Sequence, residues 1–138
     1  MWTCPHCSKT FARAHQSHQC INLPPEALFS GKDPHLWSLF ELLIERIGEF
    51  APHTVTASRK SISLYDSNYR VFLVAQPKRK WIDIYFWLDR EETEFPIFKT
   101  VHMSKTRWSH FVRLDSPDDI DSQLLRWIAE GHQYILNK

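Results

Sequence analysis

Two hydrophobic periods divide the chain. Leu36, Phe40, Leu43, Ile44 and Ile47 recur at helical spacing and share one face. Glu41, Glu45 and Glu49 form a second stripe at spacing four, which reads as the solvated side of the same helix. Asp33 is a good N-cap, Pro34 suits the first helical position, and Gly48 and Pro52 weaken and then close the helix. From Thr54 to Leu114 the period changes to two, and strands are predicted near 53–57, 61–65, 69–76, 81–88, 97–103 and 108–114. In the clearest of them, Ile82, Ile84, Phe86 and Leu88 face the core, and Trp81, Asp83, Tyr85 and Trp87 face the other way. Trp108, His110, Val112 and Leu114 share a face in the last strand. A second helix is predicted after Ser116-Pro117-Asp118-Asp119, with Ile120, Leu124, Trp127 and Ile128 buried, running to Glu130 or beyond Gly131.

Helix, strands, helix in that order predict an α+β fold. Short connections favour an antiparallel β-meander of about five or six strands, with both helices packed on one face and the other left open.

Neither period covers the first twenty residues. They hold all three cysteines, as Cys4-x-x-Cys7 and Cys20, with His6, His15 and His18 among them. Two thiolates three positions apart can grip one ion from a tight turn, and Phe11 is placed to pack beneath it. Zinc takes four ligands in a tetrahedron. Cys4 and Cys7 supply two. His15 and His18 would share a helical face, whereas His18 and Cys20 can both reach the ion only if the helix ends near His18. Asn22, Pro24 and Pro25 end it there. The favoured set is Cys4, Cys7, His18 and Cys20, with His15 as the alternative ligand, holding one structural zinc ion per chain. The expected organisation is a zinc finger over 1–22, a linker over 23–32 and the α+β domain over 33–138. Ala27, Leu28 and Phe29 in the linker could form one docked helical turn stopped by Gly31.

Composition narrows the class. The chain has 138 residues, 43% hydrophobic and 14% aromatic, enough for a packed core, and a net charge of +1, which gives no bulk attraction for polyanions. No apolar run approaches the roughly 18 residues of a membrane span, and the N-terminus lacks a signal-peptide pattern. A cytoplasmic protein with no membrane partner is expected, and there cysteines serve as metal ligands more often than in disulfides.

Charge is uneven along the chain. Lys78, Arg79 and Lys80 form a basic turn directly before the aromatic strand. Cations beside Trp81, Tyr85 and Trp87 are the composition of a single-strand nucleic-acid platform, where phosphates pair and bases stack. The same residues also suit a solubilising hairpin that protects a sheet edge. The run Asp89-Arg-Glu-Glu-Thr-Glu94 reads as an exposed loop. His102 and His110 lie on successive strands and could approach each other. His110 with Asp83 or Tyr85 could line a small pocket. No nucleophile elbow, phosphate-cradling glycine loop or zincin motif is present, so catalysis has little sequence support and no catalytic residue is assigned.

The assembled pattern resembles a bacterial family, the domain of unknown function family 5655. The likeness rests on Trp2-x-Cys4-Pro5-x-Cys7-x-x-x-Phe11 with Gln16-x-His18-x-Cys20, on Phe29-Ser-Gly-Lys-Asp-Pro34, and on Lys78-Arg-Lys-Trp-Ile-Asp83 with Phe86-Trp-Leu88. It continues in His110-Phe-Val-Arg-Leu114, Ser116-Pro-Asp-Asp-Ile-Asp121 and Trp127. The resemblance implies His18 and Cys20 over His15 as ligands, and gives Trp81, Asp83 and His110 motif positions. It implies no activity. The expected function is a non-enzymatic module that binds nucleic acid or another protein. The alternative is a small-ligand binder or enzyme with a pocket around Asp83, Tyr85 and His110.

Overall fold

The computed structural model describes residues 1–18 and 23–138. A two-stranded ribbon opens the chain, β1 (Trp2–Thr3) against β2 (Thr10–Phe11). After it come a 3₁₀ turn over Pro25–Phe29, helix α1 (His35–Gly48), strands β3 (Thr54–Ala57), β4 (Ile62–Tyr65), β5 (Val71–Pro77), β6 (Ile82–Leu88), β7 (Lys99–Ser104) and β8 (Arg107–Leu114), and helix α2 (Ser122–Leu136). β3 to β8 form one open antiparallel sheet in the order β3-β4-β5-β6-β8-β7. The fold is α+β.

The first four strands of the sheet run as a meander. β7 then takes the edge, and β8 returns between it and β6. Since β6 and β7 each pair antiparallel with β8, they point the same way, and the chain must travel back along the sheet between them. Residues 89–98 make that return.

One face of the sheet is packed. Register places Leu64, Leu73, Phe86 and His110 in one cross-strand row, and Ile62, Ala75, Ile84 and Val112 in the next. These residues are buried, and the apolar ones share one cluster with Leu36, Phe40, Leu43 and Ile47 of α1 and Leu124, Ile128 and Ile135 of α2. Burying side chains of this size contributes about 1.5–3 kcal/mol each. The stripe Glu41, Glu45 and Glu49 is exposed.

Three local features differ from the simple periods. Asp33 gives α1 no side-chain cap; Pro34 occupies the N-cap position, and the Asp33 N–H is spent on the Arg79 carbonyl at 3.0 Å. Pairing jumps from Leu64–Leu73 to Tyr65–Val71, which leaves Phe72 as a bulge residue. The bulge lets Phe72 bury fully, its ring 4.8 Å from that of His132. Ser116 and Asp119 form a capping box, but the segment they start is a short 3₁₀ turn; α2 begins at Ser122 with Asp121 accepting from the Leu124 N–H.

The stretch before α1 is docked. Leu28 and Phe29 enter the core cluster, and Leu23 pairs with Ala57 on the β3 edge. Among the described residues no helix is long and apolar enough to cross a membrane.

Candidate metal centre and open sheet face

The N-terminal ribbon is built around its cysteines. Ser8 N–H donates to the Cys4 carbonyl at 2.9 Å and Cys4 N–H to the Lys9 carbonyl at 2.8 Å, closing a tight turn in which Ser8 takes a positive φ of 64°. The turn brings Cys4 and Cys7 together. The ligand atoms of Cys4, Cys7 and His18 all lie within 4.8 Å of one another, and Cys7 Sγ is 3.4 Å from His18 Nε2. A tetrahedral ion with ordinary sulfur and nitrogen bond lengths would set that last separation at about 3.5 Å. The His18 Nδ1–H donates to the Gln16 carbonyl at 2.6 Å, which leaves the Nε2 lone pair for the ion. Phe11 is buried beneath, its ring 4.3 Å from that of His18. The three side chains fit a metal site. His15 is exposed, stands outside the cluster, and packs on Trp2 at 5.0 Å. Cys20 lies outside the described residues.

The second feature is the sheet face away from the helices. Alternation in β6 puts Asp83, Tyr85 and Trp87 there, with Trp81 just before the strand. The neighbouring strand adds Phe111, directly opposite Tyr85, and Arg113, directly opposite Asp83. Tyr85 lies 5.6 Å from Trp87 and 4.9 Å from Phe111 between ring centroids, and Phe98 extends the row. Each end and the middle carry a cation over a ring. Arg113 sits 4.3 Å from the Trp81 centroid and 5.0 Å from Phe98, Lys99 5.0 Å from Phe111, and Arg107 5.1 Å from Trp87. Asp83 is the face's carboxylate in this row and is held by Arg113 Nε at 3.1 Å. Burial pushes the Tyr85 pKa up, so its ring carries a neutral hydroxyl. Trp81, Tyr85, Trp87 and Phe111 are partly exposed, and Phe98 is exposed.

Lys78, Arg79 and Lys80 are exposed on the β5–β6 turn, at the end of the sheet where Trp81 begins the row. Phe98, Lys99, Arg107, Phe111 and Arg113 were not singled out from the sequence. The period of two in residues 107–114 carries the signal, since it opposes Arg107, Ser109, Phe111 and Arg113 to the apolar set.

His110 is not part of this face. It pairs with Phe86, is fully buried, and accepts at Nε2 from the Glu92 N–H at 2.9 Å. Burial pushes its pKa down, partly opposed by the Trp108 and Phe86 carbonyls. Asp83 and Tyr85 point to the opposite side of the sheet, so the structure does not bring the three into one pocket. His102 is exposed and stacks on Trp108 at 4.0 Å, while His110 stands opposite Thr100.

The acidic loop is turned away as well. Arg90 bridges Glu92 at 2.8 Å and Glu130 of α2 at 2.9 Å, and Glu91 accepts from Thr100, a residue on the His110 side of the sheet. These bonds hold the Glu91 and Glu92 carboxylates towards the helical layer.

A family model described as a domain of unknown function, DUF5655, matches residues 26–135. No curated protein and no solved structure matches the chain.

Proposed function

The chain belongs to the DUF5655 family of domains of unknown function, and from that premise, which brings no activity with it, we propose a non-enzymatic module that binds single-stranded nucleic acid on its open sheet face. The observation that carries this is the row of Trp81, Tyr85, Trp87, Phe98 and Phe111 with Arg107, Arg113 and Lys99 set over its rings. Every base has a π-face, so such a row stacks bases with little regard to sequence. Lys78, Arg79 and Lys80 meet the phosphates where the strand leaves the row. An Arg or Lys over an aromatic ring is already placed to join a stack with the incoming base.

The test is fluorescence anisotropy with short single-stranded DNA and RNA. Binding should weaken steeply as salt rises, because each phosphate contact releases counterions. Trp87→Ala should weaken it about tenfold, in line with the roughly 1–3 kcal/mol of one stacked base. Lys78→Glu with Lys80→Glu should weaken it further and flatten the salt slope. No binding at low salt, or binding indifferent to both variants, would sink the reading.

Residues 1–22 act on this reading as a metal-bearing unit, 23–32 as its connection and 33–138 as the binding unit. The metal is a single structural zinc ion, held by Cys4, Cys7 and His18 with Cys20 as fourth ligand. Two or three thiolates and a neutral imidazole are the usual zinc donors, and a closed set of four leaves no position for a catalytic water. Metal analysis should return about one zinc per chain. Cys20→Ser should abolish tight binding and His15→Ala should leave it intact; the opposite pair of results would reassign the site.

A further inference from the structure

Four cationic side chains from three separate turns surround one small cleft at the end of the sheet. Lys32 follows the 3₁₀ turn, Arg59 and Lys60 stand between β3 and β4, and Lys78 stands between β5 and β6; Leu28 and Pro77 complete the lining. The cleft holds about 130 Å³ and no carboxylate lines it. None of the four cations is in an ion pair among the described residues.

The backbone beneath them is fixed. Lys32 N–H donates to the Phe29 carbonyl at 3.2 Å, Ser58 N–H to the Ser61 carbonyl at 2.9 Å, and Lys78 N–H to the Trp81 carbonyl at 2.7 Å. The Ser58 and Ser61 hydroxyls are 3.3 Å apart and tie the middle turn across its neck. Three pinned turns therefore gather the backbones that carry four like charges around one cleft, and the positive potential they raise suits a compact anion. Size selects further. Pockets that enclose larger ligands run to roughly 300 Å³ or more, so this cleft suits a small group such as one phosphate.

We infer that this cleft is a phosphate-binding site. Arg59 offers a planar fork that can take two phosphate oxygens at once, and the three lysines act as point charges around it. The site does not rest on the open-face reading; Lys78 is the residue common to both. The phosphate could belong to a free phosphate ester or to the end of a nucleic-acid strand, and the chemistry is the same.

The experiment is a titration of the ¹⁵N-labelled chain with inorganic phosphate at constant ionic strength, followed by amide chemical shifts. Saturable shifts are expected at Lys32, Arg59, Lys60, Ser61 and Lys78. Arg59→Ala with Lys60→Ala should weaken phosphate binding about tenfold or more, as loss of charge-assisted contacts does. Both residues are exposed, and an unchanged spectrum elsewhere confirms the fold of the variant. Trp87→Ala should leave phosphate binding unchanged while reducing oligonucleotide binding, which separates failure of the open-face reading from failure of this one. A 5′-phosphorylated oligonucleotide that binds more tightly than its 5′-hydroxyl form, and loses that advantage in the Arg59/Lys60 variant, assigns a strand end as the source. Competition by AMP with no such advantage assigns a free ester. Shifts that never saturate, or that persist unaltered in the double variant, overturn the site.

Discussion

His110 and His132 are both buried imidazoles whose pKa values burial pushes below the ordinary 6.5. His132 also feels Asp66, which raises it, and His53, which lowers it. The neutral form is the one that fits at His110, because Nε2 must keep its lone pair to accept from Glu92. The sign follows from proton counting. Once the pH falls below the unfolded value of about 6.5, the unfolded chain binds protons that the folded chain refuses, so stability falls with pH there. Above that value the two histidines make stability independent of pH. Each can contribute a slope of at most about 1.4 kcal/mol per pH unit. Denaturant unfolding at a series of pH values should show the decline starting near 6.5. His110→Gln keeps an acceptor for the Glu92 N–H without titrating in this range, and should make the decline shallower. An unchanged acid slope in that variant would mean that His110 titrates equally in both states.

Packing between elements depends on one glycine. A Cβ built at Gly131 of α2 would stand 2.8 Å from the Trp87 carbonyl oxygen, a backbone atom that cannot swing aside. α2 therefore lies on β6 at a distance that only glycine permits at this point. Gly131→Ala should destabilise the domain by about 1–3 kcal/mol despite its better helix propensity, and the denaturation midpoint measures it. A stabilised variant would show that the helix can lift without cost. This contact is invisible in the sequence, where the helix could stop at Glu130 or run beyond Gly131. What was legible were features that local chemistry sets. Because one buried face imposes its spacing on each element, the two periods give both helices and all six strands of the sheet, although α2 starts at Ser122 and not directly after Ser116. The two-residue gap between Cys4 and Cys7 closes a tight turn and makes them neighbours; His18 joins them from turns and bends, not from the helix that its spacing to His15 suggested. Strand order was not legible in the same way. No residue in β8 says that it inserts between β6 and β7; that follows from the length of the 89–98 connection and its anchors on Glu130, Thr100 and His110. Phe72 was also hidden, since a bulge changes which face a side chain takes without changing the sequence pattern. Asp83, Tyr85 and His110 looked compatible as one site only while strand facing was left out. Register separates them, and gives Tyr85 the partners Trp87 and Phe111 instead.

At the scale of the whole molecule the charge is unevenly placed. Glu91 and Glu92 of the 89–94 loop are tied to the helical side through Thr100 and Arg90, while Lys99, Arg107 and Arg113 stand over the aromatic row; Asp83 lies within that row, and Asp115, Asp118, Asp119 and Asp121 gather beside Phe98 and Arg113 at one end of it. A chain with a net charge of only +1 thus sets three cations over the rings of one sheet face. β6, seven residues long, sets the length of that face at about 23 Å. If the face binds single-stranded nucleic acid as proposed, that length predicts a site of about four nucleotides, the lower end of the range for a compact single-strand module. Affinity should therefore rise with oligonucleotide length up to about four and then level off, apart from the statistical gain of longer strands. The arrangement also decides what happens when metal is removed. The cysteine ribbon has its own small cluster of Cys4, Cys7, Phe11 and Trp2, separate from the cluster that holds the sheet to its helices. Chelation should then melt the ribbon, since a ligand-built core of that size has little else to hold it. The main thermal transition should remain. Circular dichroism melts with and without chelator, paired with oligonucleotide titrations, separate the two units: an unchanged main transition with length-dependent binding intact places recognition on the sheet. A main transition lost together with the metal would instead make the ribbon part of the fold's foundation, and the open face would have to be reinterpreted as a surface that the ribbon organises.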